Sequence, residues 1–485
     1  MKDIGTWVRM GKMIKHRLNS TDKYTIICLL FILVYSVYMI IVPPFIGIAN
    51  NGDFERFSHK FGVFYPYNAW DEQHYQITFV HNIISGFKTG TPTETGFFSS
   101  YEIVGWLSRI VGFVFSRNDF YDIRFMGISS FAFLLSGVVL FFYILRKNKP
   151  FLRIVIATFV AIIMVDPYFV QFYNSFYSEL GIFVFGIYFI DFSVLTCKKF
   201  SYPSFLFELF FMMLMCLTKP QNYIILLSCC FFLCLQALYY HFSKLSFVFI
   251  ILFLLITVLI IIRSLNLNKN YGTENNLSYN VIVVRLLRLS DDPEKRLSEL
   301  EFDNDNIELI QECIGYTVFA KDIILKDHSE LYKRFDRSME VKILLAEPSL
   351  IIKSLLDIQK GIFSKIPLGN FESTKKRTSS KKLFNTNIYL INALFPRNFY
   401  FYIIILFMGL GFVLRNFKKE HDLSLIMLFV LISSCLIYAA VAFGDDCEDG
   451  KHLFAASIFL EIVYVYVLSK ICSIVWNQIK RWSTK

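Results

Sequence analysis

The residues best suited to chemistry form a compact acidic cluster that directly follows the first long apolar segment. Residues 50–56 read Asn-Asn-Gly-Asp-Phe-Glu-Arg. Asn and Gly favour a turn, and a carboxylate at a membrane surface can have a raised pKa and act as a general base. Asp53 and Glu55 are therefore candidate catalytic residues, and Arg56 is a candidate substrate contact. A metal site and an ordinary solvated turn remain open alternatives.

Three more ionisable residues lie beside later apolar segments. Asp166 precedes a proline near the end of the third segment, Glu179 ends the loop that follows, and Lys219 lies in a very short loop. Ionisable groups at such positions are costly and indicate function, and a lysine can hold a phosphate as a point charge. The alternatives are a carboxylate at a helix start for Glu179 and a snorkelling side chain for Lys219.

The densest charged loop precedes the last apolar segment, over residues 444–452. Its candidate substrate-binding residues are Asp445, Asp446, Lys451 and His452. They could position an acceptor or a phosphate, and a solvated loop is the alternative.

The composition indicates what kind of chain must position these groups. Hydrophobic residues make up 55% and charged residues only 18%, whereas soluble domains carry about 25% charged residues. The net charge is +10, but the basic residues lie beside the apolar segments and no nucleic-acid motif is present. These features predict an integral membrane protein that does not bind nucleic acid.

Ten apolar segments approach the length of about 20 residues that a transmembrane helix needs. The chain is therefore predicted to be an all-α integral membrane protein with ten spans. The spans are Tyr24–Ile48, Phe125–Leu145, Ile154–Val170, Leu180–Thr196, Ser204–Leu217, Tyr223–Tyr240, Ser246–Ile262, Phe399–Val413, Leu423–Phe443 and Leu453–Trp476.

The short loops rich in Lys and Arg all lie on one side if all ten spans exist. Because such loops stay inside, both termini are predicted to be cytoplasmic, as tails 1–23 and 477–485. The membrane domain then comprises residues 24–262 and 399–476. The acidic cluster, Glu179, Lys219 and the loop 444–452 share the opposite, extracytoplasmic face.

Two large loops are predicted on that face. Residues 49–124 contain a surface helix, Tyr101–Phe115, expected to lie in the membrane interface. Residues 263–398 are expected to form a mostly helical subdomain with helices at Arg285–Leu300 and Ile307–Asp322. A basic stretch at residues 375–382 could attract anionic membrane lipid or lipopolysaccharide.

With Asp53 just beyond the first span, the chain resembles the polytopic glycosyltransferases of the C-type fold that use polyprenyl-phosphate sugars. That family carries an acidic residue soon after its first span. Size, topology and the large second loop look most like the phage-encoded glucosyltransferases that convert O-antigen serotype. The acids are spaced as Asp-Phe-Glu instead of the commoner Asp-x-Asp, which weakens the argument for a metal.

The resemblance implies transfer of glucose from undecaprenyl-phosphate-glucose to an O-antigen or lipopolysaccharide acceptor, at the periplasmic face of the bacterial inner membrane. Asp53 would be the base, Glu55 would support it, and Lys219 and Lys451 would contact the phosphate. It implies no definite cofactor and leaves a divalent metal ion open. A separate donor synthase and a small flippase would be partners.

Other functions remain open. An O-antigen polymerase or ligase would rely on Arg and His in outer loops, where acids dominate here. A polysaccharide flippase or transporter predicts paired charges deep in several spans. A non-catalytic membrane scaffold predicts that neutralising Asp53 and Glu179 leaves function intact.

Overall fold

The computed structural model describes residues 20–42, 45–47, 54–65, 86–93, 97–116, 120–146, 150–270, 273–316, 331, 334–361, 399–444 and 452–483. These residues are mostly helical, as predicted. Their main core lies between the long apolar helices, and a second, separate core lies within residues 279–350.

Seven described helices are long and apolar enough to cross a membrane. They are α1 (Ser20–Ile41), α4 (Arg124–Leu145), α7 (Leu180–Lys198), α9 (Ile225–Tyr240, preceded by a 3-10 turn Pro220–Ile224), α10 (Lys244–Asn270), α18 (His421–Gly444) and α19 (Phe454–Ser483). Helices α5 (Pro150–Val165) and α6 (Pro167–Tyr173) meet at a bend of 56° and form an eighth span if they are counted together.

The two remaining predicted spans correspond to shorter apolar helices. These are α8 (Tyr202–Cys216) and α17 (Phe399–Asn416). The structure therefore supports seven or eight spans, while the ten-span topology and the orientation that follows from it remain predictions. The boundaries of the tails and domains likewise remain predictions.

The bend between α5 and α6 has a local cause. Pro167 has no backbone N–H and cannot continue α5. Asp166 has an extended backbone and caps α6, since its Oδ1 accepts a hydrogen bond of 2.8 Å from the backbone N–H of Tyr168. The fully buried carboxyl of Asp166 also interacts electrostatically with that of Glu461 in α19.

A small antiparallel sheet in the first predicted outer loop contradicts the expectation of an all-α chain. Its strands are β1 (Val63–Phe64), β2 (Gly86–Thr89) and β3 (Phe120–Asp122), in the order β1–β2–β3. Phe87 pairs with Tyr121, and both side chains are buried. The prediction was wrong because strands this short carry no alternating pattern and pair across long stretches of sequence.

The predicted helix Tyr101–Phe115 is confirmed as α3 (Glu102–Phe115), which follows α2 (Phe54–Ser58) and a 3-10 turn at His59–Phe61. Its position in the membrane interface remains a prediction. One face of α3 is buried through Val104, Gly105, Ser108 and Gly112. The side chain of Phe113 on the other side is 81% exposed. An exposed apolar face of this kind is typical of a helix that lies against lipid.

The described part of the second predicted outer loop is helical, as expected. It contains α11 (Thr273–Tyr279), a π-helix (Asn280–Leu286), α12 (Leu287–Leu289), α13 (Pro293–Glu299), α14 (Asn304–Cys313), α15 (Arg337–Ala346) and α16 (Ser349–Asp357), with a final 3-10 turn at Ile358–Gly361. The predicted helix Arg285–Leu300 is thus interrupted, and Asp292 caps the restart. Residues 317–322, and the basic stretch 375–382, lie outside the described residues.

Two arginines attach this subdomain to the end of α18. The fully buried Arg285 donates from Nη1 to the carbonyl oxygens of Val441 (3.0 Å) and Ala442 (2.8 Å). Arg337 donates to those of Phe443 (3.0 Å) and Gly444 (3.1 Å). The last carbonyls of a helix have no partner within it and carry partial negative charge. The two arginines therefore provide hydrogen-bond donors for the last four carbonyl oxygens of α18 and hold the subdomain against the end of this helix.

Glu340 makes the stability of this attachment depend on pH. Arg337 also donates to both oxygens of Glu340, at 2.7 and 2.9 Å. Burial nevertheless raises the pKa of the Glu340 carboxyl from 4.5 to about 6, with Arg337 acting in the opposite direction. Protonation of Glu340 is therefore easier in the folded state than in the unfolded chain.

We expect the Glu340→Gln variant to be more stable than the wild type near neutral pH. Because the folded pKa of Glu340 is raised, the contribution of this carboxyl to stability is fully present below pH 4.5, and about 2 kcal/mol of it is lost as the pH rises through 6. The thermal unfolding midpoint in detergent measures this, with the exposed Glu294→Gln as control. An unchanged pH dependence in Glu340→Gln would refute the assignment.

Candidate functional site

Three of the predicted substrate-binding residues meet at one end of the helix bundle. Lys219 Nζ lies 2.6 Å from Glu179 Oε1 and 3.4 Å from His452 Nδ1. The side chain of Gln221 also hydrogen-bonds His452 Nδ1. These four residues, here called the Lys219 cluster, come from the start of α7, the α8–α9 connection and the residues before α19.

The Lys219 cluster is nearly closed to solvent. The side chain of Lys219 is 12% exposed and that of Glu179 only 6%, and His452 is buried. Two buried charges are stable only as a well-formed pair, because each one alone would retain a large desolvation cost. An ammonium only donates hydrogen bonds, so Glu179 Oε1 accepts from Lys219, while Lys219 and Gln221 both approach the single lone pair of His452 Nδ1.

The first predicted outer loop holds the backbone that carries Lys219. Ser99 Oγ donates to the carbonyl oxygen of Thr218 at 2.6 Å, and the backbone N–H of Ser100 donates to that of Leu217 at 2.9 Å. Lys219 itself is extended, as is usual before a proline. These hydrogen bonds join residues 97–101 to residues 217–219, and they therefore fix the position of the Lys219 backbone.

A glycine allows α7 to approach these two segments. A Cβ atom on Gly181 would lie 2.8 Å from Thr218 Cγ2 and 3.1 Å from Tyr101 Cβ. Both distances are closer than ordinary van der Waals contacts allow. Since Gly181 is two residues after Glu179, this close packing sets the distance between the carboxylate and Lys219.

The acidic segment of the first loop is anchored to the same region. Phe54, the first residue of α2, is buried and packs edge-on against Phe176 (5.2 Å between ring centroids) and Tyr177 (5.0 Å). Since Tyr177 is two residues before Glu179, this contact places the start of α2 next to the segment that carries Glu179. Glu55 and Arg56 follow Phe54 on α2 and are partly buried.

Glu55 acts on a histidine one helical turn further along. Burial lowers the pKa of His59, while the nearby Glu55 carboxylate opposes this effect. The ring of His59 also packs against that of Phe64, with centroids 4.5 Å apart. Glu55 therefore lies close enough to His59 to affect its pKa. The catalytic role of Glu55 remains a prediction.

Four predicted site residues, Asp53, Asp445, Asp446 and Lys451, lie outside the described residues. Asp53 immediately precedes α2, and the other three lie between α18 and His452. Their predicted roles remain predictions. Within the described ranges, no group of three or more His, Cys, Asp or Glu side chains could hold a metal ion.

Sequence reasoning missed several residues that build the site. Gln221 lies two residues after Lys219 and carries no charge, so nothing in the sequence identified it as a partner of His452. Ser99 and Ser100 carry no charge and no pattern that would separate them from an ordinary loop, and Tyr101 was predicted only as the first residue of a helix. Their importance comes from hydrogen bonds and packing across more than a hundred residues of sequence.

Residues 11–485 match the family model described as the YfdI N-terminal transmembrane domain. This chain belongs to that family. The members of this family are phage-encoded proteins of O-antigen modification, which agrees with the resemblance noted in the sequence. The chain is thus a membrane protein tied to O-antigen modification. No curated protein and no solved structure matches it.

We expect a strong energetic coupling between Lys219 and Glu179. Lys219→Met should destabilise the chain by about 3 kcal/mol, because it leaves a buried carboxylate without its ion-pair partner. Adding Glu179→Gln should recover part of this loss, so that the double variant is more stable than the sum of the single changes implies. Unfolding midpoints of the four proteins in detergent measure the coupling, and strictly additive effects would contradict it.

Gly181→Ala should destabilise the chain by about 1–3 kcal/mol, because the added methyl group overlaps Thr218 and Tyr101. Gly186→Ala, one and a half turns along α7, is the matched control. A Cβ there would meet only Met215 Sδ at 3.6 Å, and alanine is the better helix former. Thermal unfolding should separate the two variants, and equal midpoints would rule out the close packing at Gly181.

Proposed function

We propose that this chain is a membrane glycosyltransferase. It moves a sugar, glucose by the resemblance, from a polyprenyl-phosphate donor to O-antigen or another surface glycan. The reaction takes place at the periplasmic face of the bacterial inner membrane. The observation that carries the proposal is the buried Lys219 cluster at the end of the bundle predicted to face the periplasm.

The charge change of the reaction fits this cluster. A polyprenyl-phosphate sugar is a phosphodiester, and breaking its bond to the sugar produces a phosphate monoester with additional negative charge. A cation fixed beside the leaving oxygen is therefore worth more in the transition state than in the ground state. Lys219 is such a cation, since Glu179 and His452 hold its ammonium in place.

The acceptor needs a base. Its hydroxyl oxygen attacks the anomeric carbon as the bond from that carbon to the phosphate oxygen breaks, and the hydroxyl proton passes to a carboxylate. Asp53 is the residue proposed for this role, with Glu55 in support. The packing of Phe54 on Tyr177 favours it, because Asp53 directly precedes Phe54 and Tyr177 lies two residues before Glu179.

The remaining predicted residues are assigned to substrate binding. Lys451 adds a second positive charge next to His452, Arg56 follows Glu55, and Asp445 and Asp446 offer acceptors for sugar hydroxyl groups. The donor synthase and the small flippase remain proposed partners, and a divalent metal ion remains open.

The transporter alternative finds no support at Glu208 in the short apolar helix α8. It predicts paired opposite charges deep in the membrane domain. Glu208, a fully buried acid of α8, instead accepts a hydrogen bond of 2.9 Å from the amide of Gln236 in α9. Such a bond is typical of helix packing.

The test is mass spectrometry of the O-antigen repeat unit. A Gram-negative strain would express the chain together with a donor synthase and a flippase, as wild type, Asp53→Asn and Lys219→Met. We expect one added hexose per repeat with the wild type and a loss of about 100-fold or more with each variant. The exposed Lys295→Met, on the same predicted face, should retain activity.

The outcomes separate the parts of the proposal. No added hexose from a normally expressed wild type would count against the reaction itself. Full addition by Asp53→Asn would keep the reaction and remove Asp53 as the base. Full addition by Lys219→Met would remove the proposed phosphate contact.

A further inference from the structure

Two cysteines touch inside the helical hairpin that carries Lys219. Cys216 is the last residue of α8, and Cys229 lies in the first turns of α9. Their sulfur atoms are 3.4 Å apart, and neither side chain has any exposed surface. Two thiols on different helices thus point at each other from positions thirteen residues apart.

The position of the pair matters as much as the distance. Cys216 precedes Lys219 by three residues, so the two thiols lie at the end of the bundle where the Lys219 cluster forms. The predicted topology places this end on the periplasmic side, where disulfides form and persist. The same sulfur contact at the opposite end would face the reducing cytoplasm.

We propose that Cys216 and Cys229 are a modification site and are joined by a disulfide in the mature protein. A disulfide needs a sulfur–sulfur distance near 2.05 Å, so the two sulfur atoms, which are 3.4 Å apart as free thiols, must approach by about 1.4 Å. This inference is independent of the proposed transferase reaction and depends on the predicted orientation of the chain.

The oxidant is a periplasmic protein of the thiol–disulfide oxidoreductase class. The thiolate of one cysteine attacks the disulfide of the oxidant and forms a mixed disulfide, which releases one oxidant thiolate. The thiolate of the other cysteine then attacks the sulfur of its partner and releases the second oxidant thiolate. The two cysteines are oxidised, the oxidant is reduced to its dithiol, and the two protons pass to the released thiolates.

Burial sets when this exchange takes place. Neither sulfur is accessible in the folded chain, so the oxidant must act while the hairpin inserts and before the helices pack around it. Once formed, the bond is shielded from external reductants. It then closes the loop 216–229, which contains Lys219 and Gln221, and limits how far the ends of α8 and α9 can separate in the unfolded chain.

Differential thiol labelling of the full-length protein in membranes tests the proposal. The protein is denatured without reductant and labelled with one maleimide, then reduced and labelled with a second. We expect about tenfold more of the second label at Cys216 and Cys229 than at Cys230. Cys230 is the internal control because it neighbours Cys229 on α9 and is only partly buried.

Two further arms complete the design. In Cys216→Ser, Cys229 should carry only the first label, and a strain that lacks the periplasmic oxidant should show the first label at both positions. The wild-type result stands even if the variant fails to fold. First label at Cys216 and Cys229 of the wild type in an oxidising strain would overturn the proposal, whatever the mass spectrometry of the O-antigen shows.

Discussion

A buried cation needs an anion beside it, and the Lys219–Glu179 ion pair is the interaction on which this end of the bundle depends. Three separate connections must meet for Lys219, Glu179 and His452 to be in contact. The hydrogen bonds from Ser99 and Ser100 and the close packing at Gly181 hold these connections next to each other. Without the pair, these segments would enclose an uncompensated charge.

A second electrostatic device connects the helical subdomain to the same region. Arg285 and Arg337 bind the last carbonyl oxygens of α18, and the chain then continues through residues 445–451 to His452. The residues at the two ends of the loop 444–452 are thus bound, Gly444 by Arg337 of the subdomain and His452 by the Lys219 cluster.

Much of the candidate site could be predicted because charge in an apolar sequence is rare. Glu179, Lys219 and His452 were recognised for that reason, and the structure brings them together. Ser99, Gly181 and the contact between Cys216 and Cys229 could not be predicted, because polar and small side chains of these types are common. Their effect depends on which helices become neighbours, and apolar periodicity does not specify that.

The sequence by itself determined the class of the chain, the position of most membrane helices and the surface helix α3, because each follows from local hydrophobicity and length. Tertiary structure alone decided that α5 and α6 form a bent pair, that residues 63–122 contain a sheet, and that two arginines of the subdomain cap α18. The physical reason is that local hydrophobicity is a property of neighbouring residues, whereas pairing and capping join groups far apart in the chain.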